Sequence, residues 1–593
     1  MPLAFATVDW WIVGVYILVA TLPGFLCRRF IRGQDDFLLA GRTLSIFLAT
    51  ATLTATEMGL VTVMYMAEFG YRNGLSAMML GVIAGVATLV VGLTGFMVSG
   101  LRASGVTTVA EYYQKRYGGN VRILGGFIIA TAGILNYGVF LRVEADFVRI
   151  ITGMPDVKIA SDMKVSFVWT DPVAPAQQAD TNPADVAQPG PDGVSDALAG
   201  QPATPEDVWV IPSIKLAMTV LLILVLLYTL MGGMVSVALT DYVQFIVLSI
   251  GMGLTTWWVL THSDVGGLSG IVAAVQEHRP GYGMNPFTTQ EAATGVLGLG
   301  LAWVIWQSMH WTGTNTWQTQ AFRTAATDSP RTAQTMWTLT AINYFGRAII
   351  PILWGIAALA YFSHHLDSAS LAKLDALQAM PSFLTHLPAG LVGFLLAGML
   401  AALMSTHSGY LLAWSGVLTE DLVVPISRLL GCEVPQRSRI WITRFFILCL
   451  GGFLLGWGLW FKAPGAIWNY LAMTGTMYIS GAAALVAMGL YWKRANRMGA
   501  YLGLVGGALP GLAYLFLRIA SLIVEPEVRQ AGYEAQGIIA SMSQWLTEAY
   551  TGLLSFPLAI LGMVVGSVIS ERLHDSANGP RVGTGSFMAG GGA

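Results

Sequence analysis

Ser405 and Thr406 stand in the run Ala401-Ala402-Leu403-Met404-Ser405-Thr406-His407-Ser408, inside a stretch otherwise apolar enough to cross a membrane. Two adjacent hydroxyls at that depth offer oxygen ligands to a hard monovalent cation without burying a full charge. An isolated pair more often bonds back to carbonyls of the preceding turn, so the hydroxyls alone leave both readings open. Glu57 is a carboxylate within another apolar stretch, which is costly and marks function by default. It could neutralise an ion, contact a cationic substrate, or hold an unwound segment through hydrogen bonds. His310 and His407 invite a proton-coupling idea, but lone histidines beside hydroxyls are more often hydrogen-bonded structure. Arg142, Glu144 and Asp146 suggest a local ion pair of Arg142 with Asp146, four residues on. The segment Leu418-Thr419-Glu420-Asp421-Leu422 is expected to close the hydroxyl-bearing span with acid and turn.

The elements that must position these residues are membrane spans. The chain has 593 residues, 55% hydrophobic and 11% charged, with a mean hydropathy of +0.62; soluble domains carry about 25% charged residues. A net charge of -2 with no basic patch gives no reason to expect nucleic acid, and nothing calls for an obligate protein partner. Cys27, Cys432 and Cys449 have no near neighbours, so neither a disulfide framework nor a metal site is indicated. The first apolar stretch lacks a positive leader and ends in Arg28-Arg29, which suits a retained anchor. No nucleophile elbow, phosphate loop or paired ligand set sits at a plausible depth, so an enzyme is not expected.

About 20 apolar residues span the hydrocarbon core. Thirteen such segments are expected, at residues 9–27, 43–67, 75–99, 121–151, 213–231, 237–261, 293–318, 334–362, 388–417, 440–461, 465–491, 498–523 and 549–570. Basic residues should cluster in alternate, cytoplasmic loops. They do so at Arg28, Arg29, Arg32 and Arg42, then at Arg102, Lys115, Arg116 and Arg122, then at Arg323 and Arg331. The series continues with Arg428, Arg437 and Arg439, with Lys493, Arg494 and Arg497, and with Arg572 and Arg581; the opposite loops hold only scattered ones such as Arg72, Arg279 and Lys462. This alternation predicts an external N-terminus and a cytoplasmic C-terminus in a cell (inner or plasma) membrane. Residues 153–210, rich in Pro, Ala, Asp and Gln, are expected to be a flexible external insertion, and residues 576–593 a disordered tail, because such composition buries too little apolar surface to offset its ordering entropy.

Several blocks, in order, carry a specific resemblance: Asp36-Phe37-Leu38-Leu39-Ala40-Gly41-Arg42, Ala55-Thr56-Glu57-Met58-Gly59 and Thr108-Val109-Ala110-Glu111-Tyr112-Tyr113 with Arg116-Tyr117-Gly118. They continue with Tyr228-Thr229-Leu230-Met231-Gly232-Gly233 followed by Thr240-Asp241, the Ser405-Thr406 segment, and Gly489-Leu490-Tyr491-Trp492-Lys493-Arg494-Ala495-Asn496 followed by Met498-Gly499-Ala500. Together they resemble the sodium:solute symporter family, the group that includes sodium-coupled proline and sugar carriers. The likeness covers roughly residues 36–507; the insertion departs from the family pattern.

The resemblance implies an all-α polytopic fold with a core of two inverted five-helix repeats, the first helix of each broken. Residues 1–42 would hold the first span and a cytoplasmic loop. The first repeat would occupy residues 43–152 and 211–262, the second 263–492, and two further spans 493–575. The breaks are expected near Glu57-Met58-Gly59 and between Trp306 and Thr314. The resemblance further implies a sodium site of the Ala55, Met58 and Ala402 carbonyls with the Ser405 and Thr406 hydroxyls. Glu57 is tied to sodium in proline-type relatives, and Asp241 matches a position linked to sodium release, although an acid at a helix start also suits the dipole. The solute pocket would lie between the breaks, lined by Thr62, Trp311, Thr314, Asn315, Gln318, Trp468, Asn469 and Tyr470. Such aromatics with a few amides and hydroxyls suit a small polar organic molecule. Ala77-Met78-Met79-Leu80-Gly81 lacks the acid that hexose carriers use there, which counts against a sugar. The expected activity is sodium-coupled symport by alternating access. A proton-coupled or uncoupled permease on the same fold is the alternative, and a solute sensor a more remote one.

Overall fold

The computed structural model describes residues 5–27, 33–159, 165–168, 209–287, 299–460, 467–530 and 548–578. Its frame is helical, because a helix satisfies its own backbone polar groups where no water can. The long helices are α1 (Thr7–Cys27), α2 (Ile46–Glu57), α3 (Leu60–Asn73), α4 (Met78–Thr94), α5 (Gly119–Tyr137), α6 (Phe140–Thr152), α7 (Ser213–Thr261) and α8 (Leu299–Gly313). They continue with α9 (Gln318–Ala326), α10 (Pro330–His365), α11 (Leu391–Val417), α12 (Gln436–Trp460), α13 (Ile467–Tyr491), α14 (Arg497–Gln530) and α15 (Glu548–Asn578). Among the described residues nine helices are long and apolar enough to cross a membrane, and Thr7–Leu22 and Ser213–Leu227 are shorter apolar helices.

Three helical spans are interrupted in ways that matter. Between α2 and α3, Met58 (φ −98°, ψ 59°) and the extended Gly59 break the first repeat's opening helix, as expected. The opening helix of the second repeat breaks later than expected. α8 runs intact through Gly313, a 3-10 turn covers Thr314–Thr316, and extended Trp317 (φ −62°, ψ 125°) precedes α9. Gly313 keeps helical dihedrals (φ −86°, ψ −11°) because its missing side chain serves packing: a Cβ there would lie 2.7 Å from Ile479 Cγ2. Within α7 the chain turns at Gly233 (φ 54°, ψ −167°), where a Cβ would meet Phe37 at 2.8 Å. That geometry separates two expected spans and admits only glycine without strain.

α11 is the central post, its residues almost entirely buried against α7, α1 and α2. The expected closure at Leu418–Leu422 does not occur. Residues Leu418–Val423 form a π-helical turn and the helix continues to Leu429. Asp421 is drawn inward there, accepting from Arg122 Nε at 2.8 Å and Thr108 Oγ1 at 2.7 Å. Part of the insertion is ordered as well. Asp156–Ile159 pairs antiparallel with both Val165–Val168 and Trp209–Ile211, giving a three-stranded sheet with the first strand in the middle. Residues 169–208 and 579–593 lie outside the described residues, and with them most of the insertion and the expected tail.

Candidate functional site

The first break passes α11 at very close range. A Cβ on Gly59 would lie 2.5 Å from Thr406 Oγ1. Thr406 Oγ1 donates to the Thr56 carbonyl at 2.8 Å, one of the carbonyls left without a helical partner where α2 ends. Ser405 Oγ donates to Asp241 Oδ1 at 2.6 Å and lies 3.3 Å from Thr56 Oγ1. Asp241 Oδ2 accepts from Thr52 Oγ1, and from Thr56 Oγ1 at 3.4 Å. Ala55 in α2, Met58 in the break and Ala402 in α11 are buried as well. The donors gathered here are carbonyl, hydroxyl and carboxylate oxygens, the set a hard cation prefers.

Arg323 completes the cluster. It lies in α9 with no exposure, its Nη2 3.5 Å from Asp241 Oδ2. It also donates from Nε to the Thr52 carbonyl at 3.2 Å, from Nη1 to Thr319 O at 3.0 Å, and from Nη2 to Thr56 Oγ1. The sequence placed Arg323 among cytoplasmic loop charges; the structure corrects this, because the late second break leaves α9 inside the protein. Asp241 and Arg323 together are neutral, which lowers the cost of burying either.

A cavity opens between the two breaks, with ≈ 580 Å³ of empty space, part of it open to solvent. Of the residues expected to contact a solute, Thr62, Trp311, Thr314 and Trp468 line it, as do Glu57 and Thr406 from the expected ion site and Thr56 beside them. Asn315, Gln318, Asn469 and Tyr470 do not. Asn315 Nδ2 donates to Phe96 O at 3.2 Å, Gln318 Oε1 accepts from Val109 N at 3.1 Å, and Tyr470 OH donates to Leu135 O at 2.8 Å. The Asn315, Gln318 and Tyr470 side chains are thus turned toward neighbouring elements rather than into the cavity.

The wall also holds residues that the sequence did not single out: Tyr65, Asn136, Phe140, Trp317, Gln320, Arg347 and Tyr410. Arg347, in α10, donates from Nη1 to Glu57 Oε2 at 2.8 Å and from Nη2 to Tyr65 OH at 3.3 Å. Its guanidinium lies over the Tyr344 and Trp311 rings, 4.9 and 5.3 Å from their centroids. Glu57 therefore faces the cavity and Arg347, while Asp241 faces Ser405. An arginine within the apolar residues 334–362 was the available signal.

His407 and Glu144 form a buried pair, with Tyr137 OH on His407 Nδ1 at 2.5 Å, and His310 Nδ1 lies 3.0 Å from Thr476 Oγ1. Both histidines are hydrogen-bonded structure. The expected Arg142–Asp146 pair is replaced. Asp146 pairs with Arg149 at 3.3 Å, and Arg142 donates to Gly458 O at 2.9 Å, since α6 points Arg142 toward α12.

A broken helix meeting α7 and α11 at a cluster of buried oxygens, with a cavity between it and a second broken helix, is the arrangement of a multi-pass secondary transporter. The profile of the sodium:solute symporter family matches residues 37–150 and 211–507. The chain belongs to that family of sodium:solute symporters, and it is a transporter rather than an enzyme. It is 23% identical over 528 residues to a sodium/glucose cotransporter of Vibrio parahaemolyticus, covering 84% of this chain and 83% of that one. It is also 24% identical over 298 residues to a high-affinity proline transporter of Bacillus subtilis (strain 168), covering 48% and 56%. Its fold matches that of a Na+-coupled sialic acid symporter in a substrate-bound, outward-open state, with a TM-score of 0.68 and 16% identity over 95% of this chain and 98% of that one.

Proposed function

We propose that the chain imports a small polar organic solute with sodium by alternating access, its N-terminus outside and its C-terminus in the cytoplasm. The observation that carries this reading is the meeting of Ser405 and Thr406 with the end of α2, where Thr406 donates to the Thr56 carbonyl at 2.8 Å. Sodium would be held by the Ala55, Met58 and Ala402 carbonyls and the Ser405 and Thr406 hydroxyls. Asp241, bonded to Ser405 at 2.6 Å, would supply the nearest negative charge. Because these groups come from both α2 and α11, the ion would favour whichever state brings the two helices together; only such differential affinity shifts the equilibrium. Thr62, Trp311, Thr314 and Trp468 would contact the solute in the adjoining cavity, and Asn315, Gln318, Asn469 and Tyr470 would hold its frame.

The test is uptake of a radiolabelled solute panel into proteoliposomes with and without an inward sodium gradient. Wild type should show sodium-dependent uptake of at least one compound. Ser405→Ala/Thr406→Ala should need about tenfold more sodium or more, equivalent to ~1.4 kcal/mol of lost ligation. Uptake that ignores sodium in wild type would replace the symporter reading with an uncoupled or proton-coupled permease.

A further inference from the structure

We infer that the solute is a zwitterion, its carboxylate docking on Arg347 and its cationic nitrogen lying against Glu57. The inference rests on the reading of the cavity as the solute site and names the chemistry of what enters it.

Arg347 is 5% exposed and Glu57 8%. A buried ion pair is a weak source of stability, and replacing one with packed apolar residues is often neutral or favourable. This pair, moreover, is only half used. Arginine carries five N–H donors, and Arg347 Nε has no hydrogen-bond partner among the described residues. Glu57 Oε1 has none either, and the indole N–H groups of Trp311 and Trp468 are likewise unpaired. All four residues line the one cavity. Buried polar atoms are ordinarily paired, and exceptions call for a reason.

Three unpaired donors and one unpaired acceptor describe the complement of a ligand: acceptor oxygens for the donors, and a donor or cation for Glu57. A carboxylate meets arginine in the strongest geometry available to either. A simple anion placed there would stand beside the Glu57 carboxylate, only 2.8 Å from Arg347, and like charges at that range repel. A cationic nitrogen on the same molecule removes the conflict. The rings around it are suited to a cation, with Tyr65 and Trp468 5.3 Å apart and Trp311 parallel to Trp468 at 6.1 Å. A neutral polyol would leave the charge pair unanswered.

The experiment is thermal unfolding of the purified full-length chain in sodium chloride and in potassium chloride, with each of the protein L-amino acids, glycine betaine, D-glucose, D-galactose and L-lactate. Every amino acid that stabilises is then compared with its carboxamide. At least one zwitterion should raise the Tm, and its carboxamide should bind at least tenfold more weakly. Arg347→Gln should weaken that zwitterion at least tenfold while keeping the Tm rise caused by sodium alone, and Arg347→Lys should recover part of the loss. Stabilisation by a hexose or lactate but by no zwitterion overturns the inference. So does a carboxamide as effective as its parent acid, or an Arg347→Gln protein that binds the zwitterion undiminished. Should Arg347→Gln fail to fold, the carboxamide comparison on wild type decides alone. Zwitterion binding equal in sodium and potassium keeps this inference and sinks sodium coupling; sodium-dependent binding of a hexose alone does the reverse.

Discussion

Several buried acids face a basic partner, among them Glu57 with Arg347, Asp241 with Arg323, Glu144 with His407 and Asp421 with Arg122. Pairing makes such burial tolerable, and it makes the partners interdependent. Asp241→Asn would strand Arg323 with no exposure to water, which costs about 3–5 kcal/mol when one partner of a buried pair is removed. The single variant should therefore unfold at a markedly lower temperature, and Asp241→Asn/Arg323→Gln should regain most of the loss. Losses that simply add in the double variant would mean that the two residues do not act as a pair. At this scale the sequence was legible where chemistry was unusual for its depth. Glu57, Ser405 and Thr406 announced themselves as polar groups in apolar runs. Arg323 and Arg347 carried the same signal, but one was read as a loop charge and the other lay within a long span. Which acid each arginine meets depends on contacts 82 and 290 residues apart, and no local pattern encodes that.

The broken helix is the element that lets the ion site exist. Met58 and Gly59 interrupt the backbone ladder, and Gly59 leaves room for Thr406. Gly59→Ala would place a methyl 2.5 Å from Thr406 Oγ1, an overpacking worth about 1–3 kcal/mol. The variant should lose Tm and sodium-dependent uptake together. Adding Thr406→Ala should restore Tm by relieving the clash without restoring uptake, since the hydroxyl is then gone. An unchanged Tm for Gly59→Ala would show that the break is looser than the close approach implies. The place of this break came from the family resemblance at Glu57-Met58-Gly59, since glycine inside a spanning helix is too common to mark a break by itself. The second break comes a few residues later than expected, because Gly313 stays helical and serves as a packing contact while the chain turns at Thr314–Trp317. That displacement also accounts for Asn315 and Gln318, whose placement depends on helical phase after the turn. The π-helical turn at Leu418–Val423 was equally hidden. Its acids resemble a loop in sequence, and only Arg122 and Thr108 from a distant segment explain why Asp421 is buried.

For the molecule as a whole, the protein returns to its starting state after each transport cycle, so the net charge moved is that of the ion plus the solute. A zwitterion adds nothing, and one coupled sodium then makes the cycle electrogenic by one charge. A membrane potential of 100 mV contributes ~2.3 kcal/mol per charge, and a tenfold sodium gradient about 1.4 kcal/mol; together they support a solute gradient of a few hundredfold. In proteoliposomes, imposing 100 mV, negative inside, with a potassium diffusion potential should raise steady-state accumulation about 50-fold over that at zero potential, the sodium gradient held fixed. A larger factor would mean more than one coupled ion. Accumulation indifferent to the potential would mean that the solute brings a compensating negative charge, so that Glu57 faces an anion and the zwitterion assignment fails.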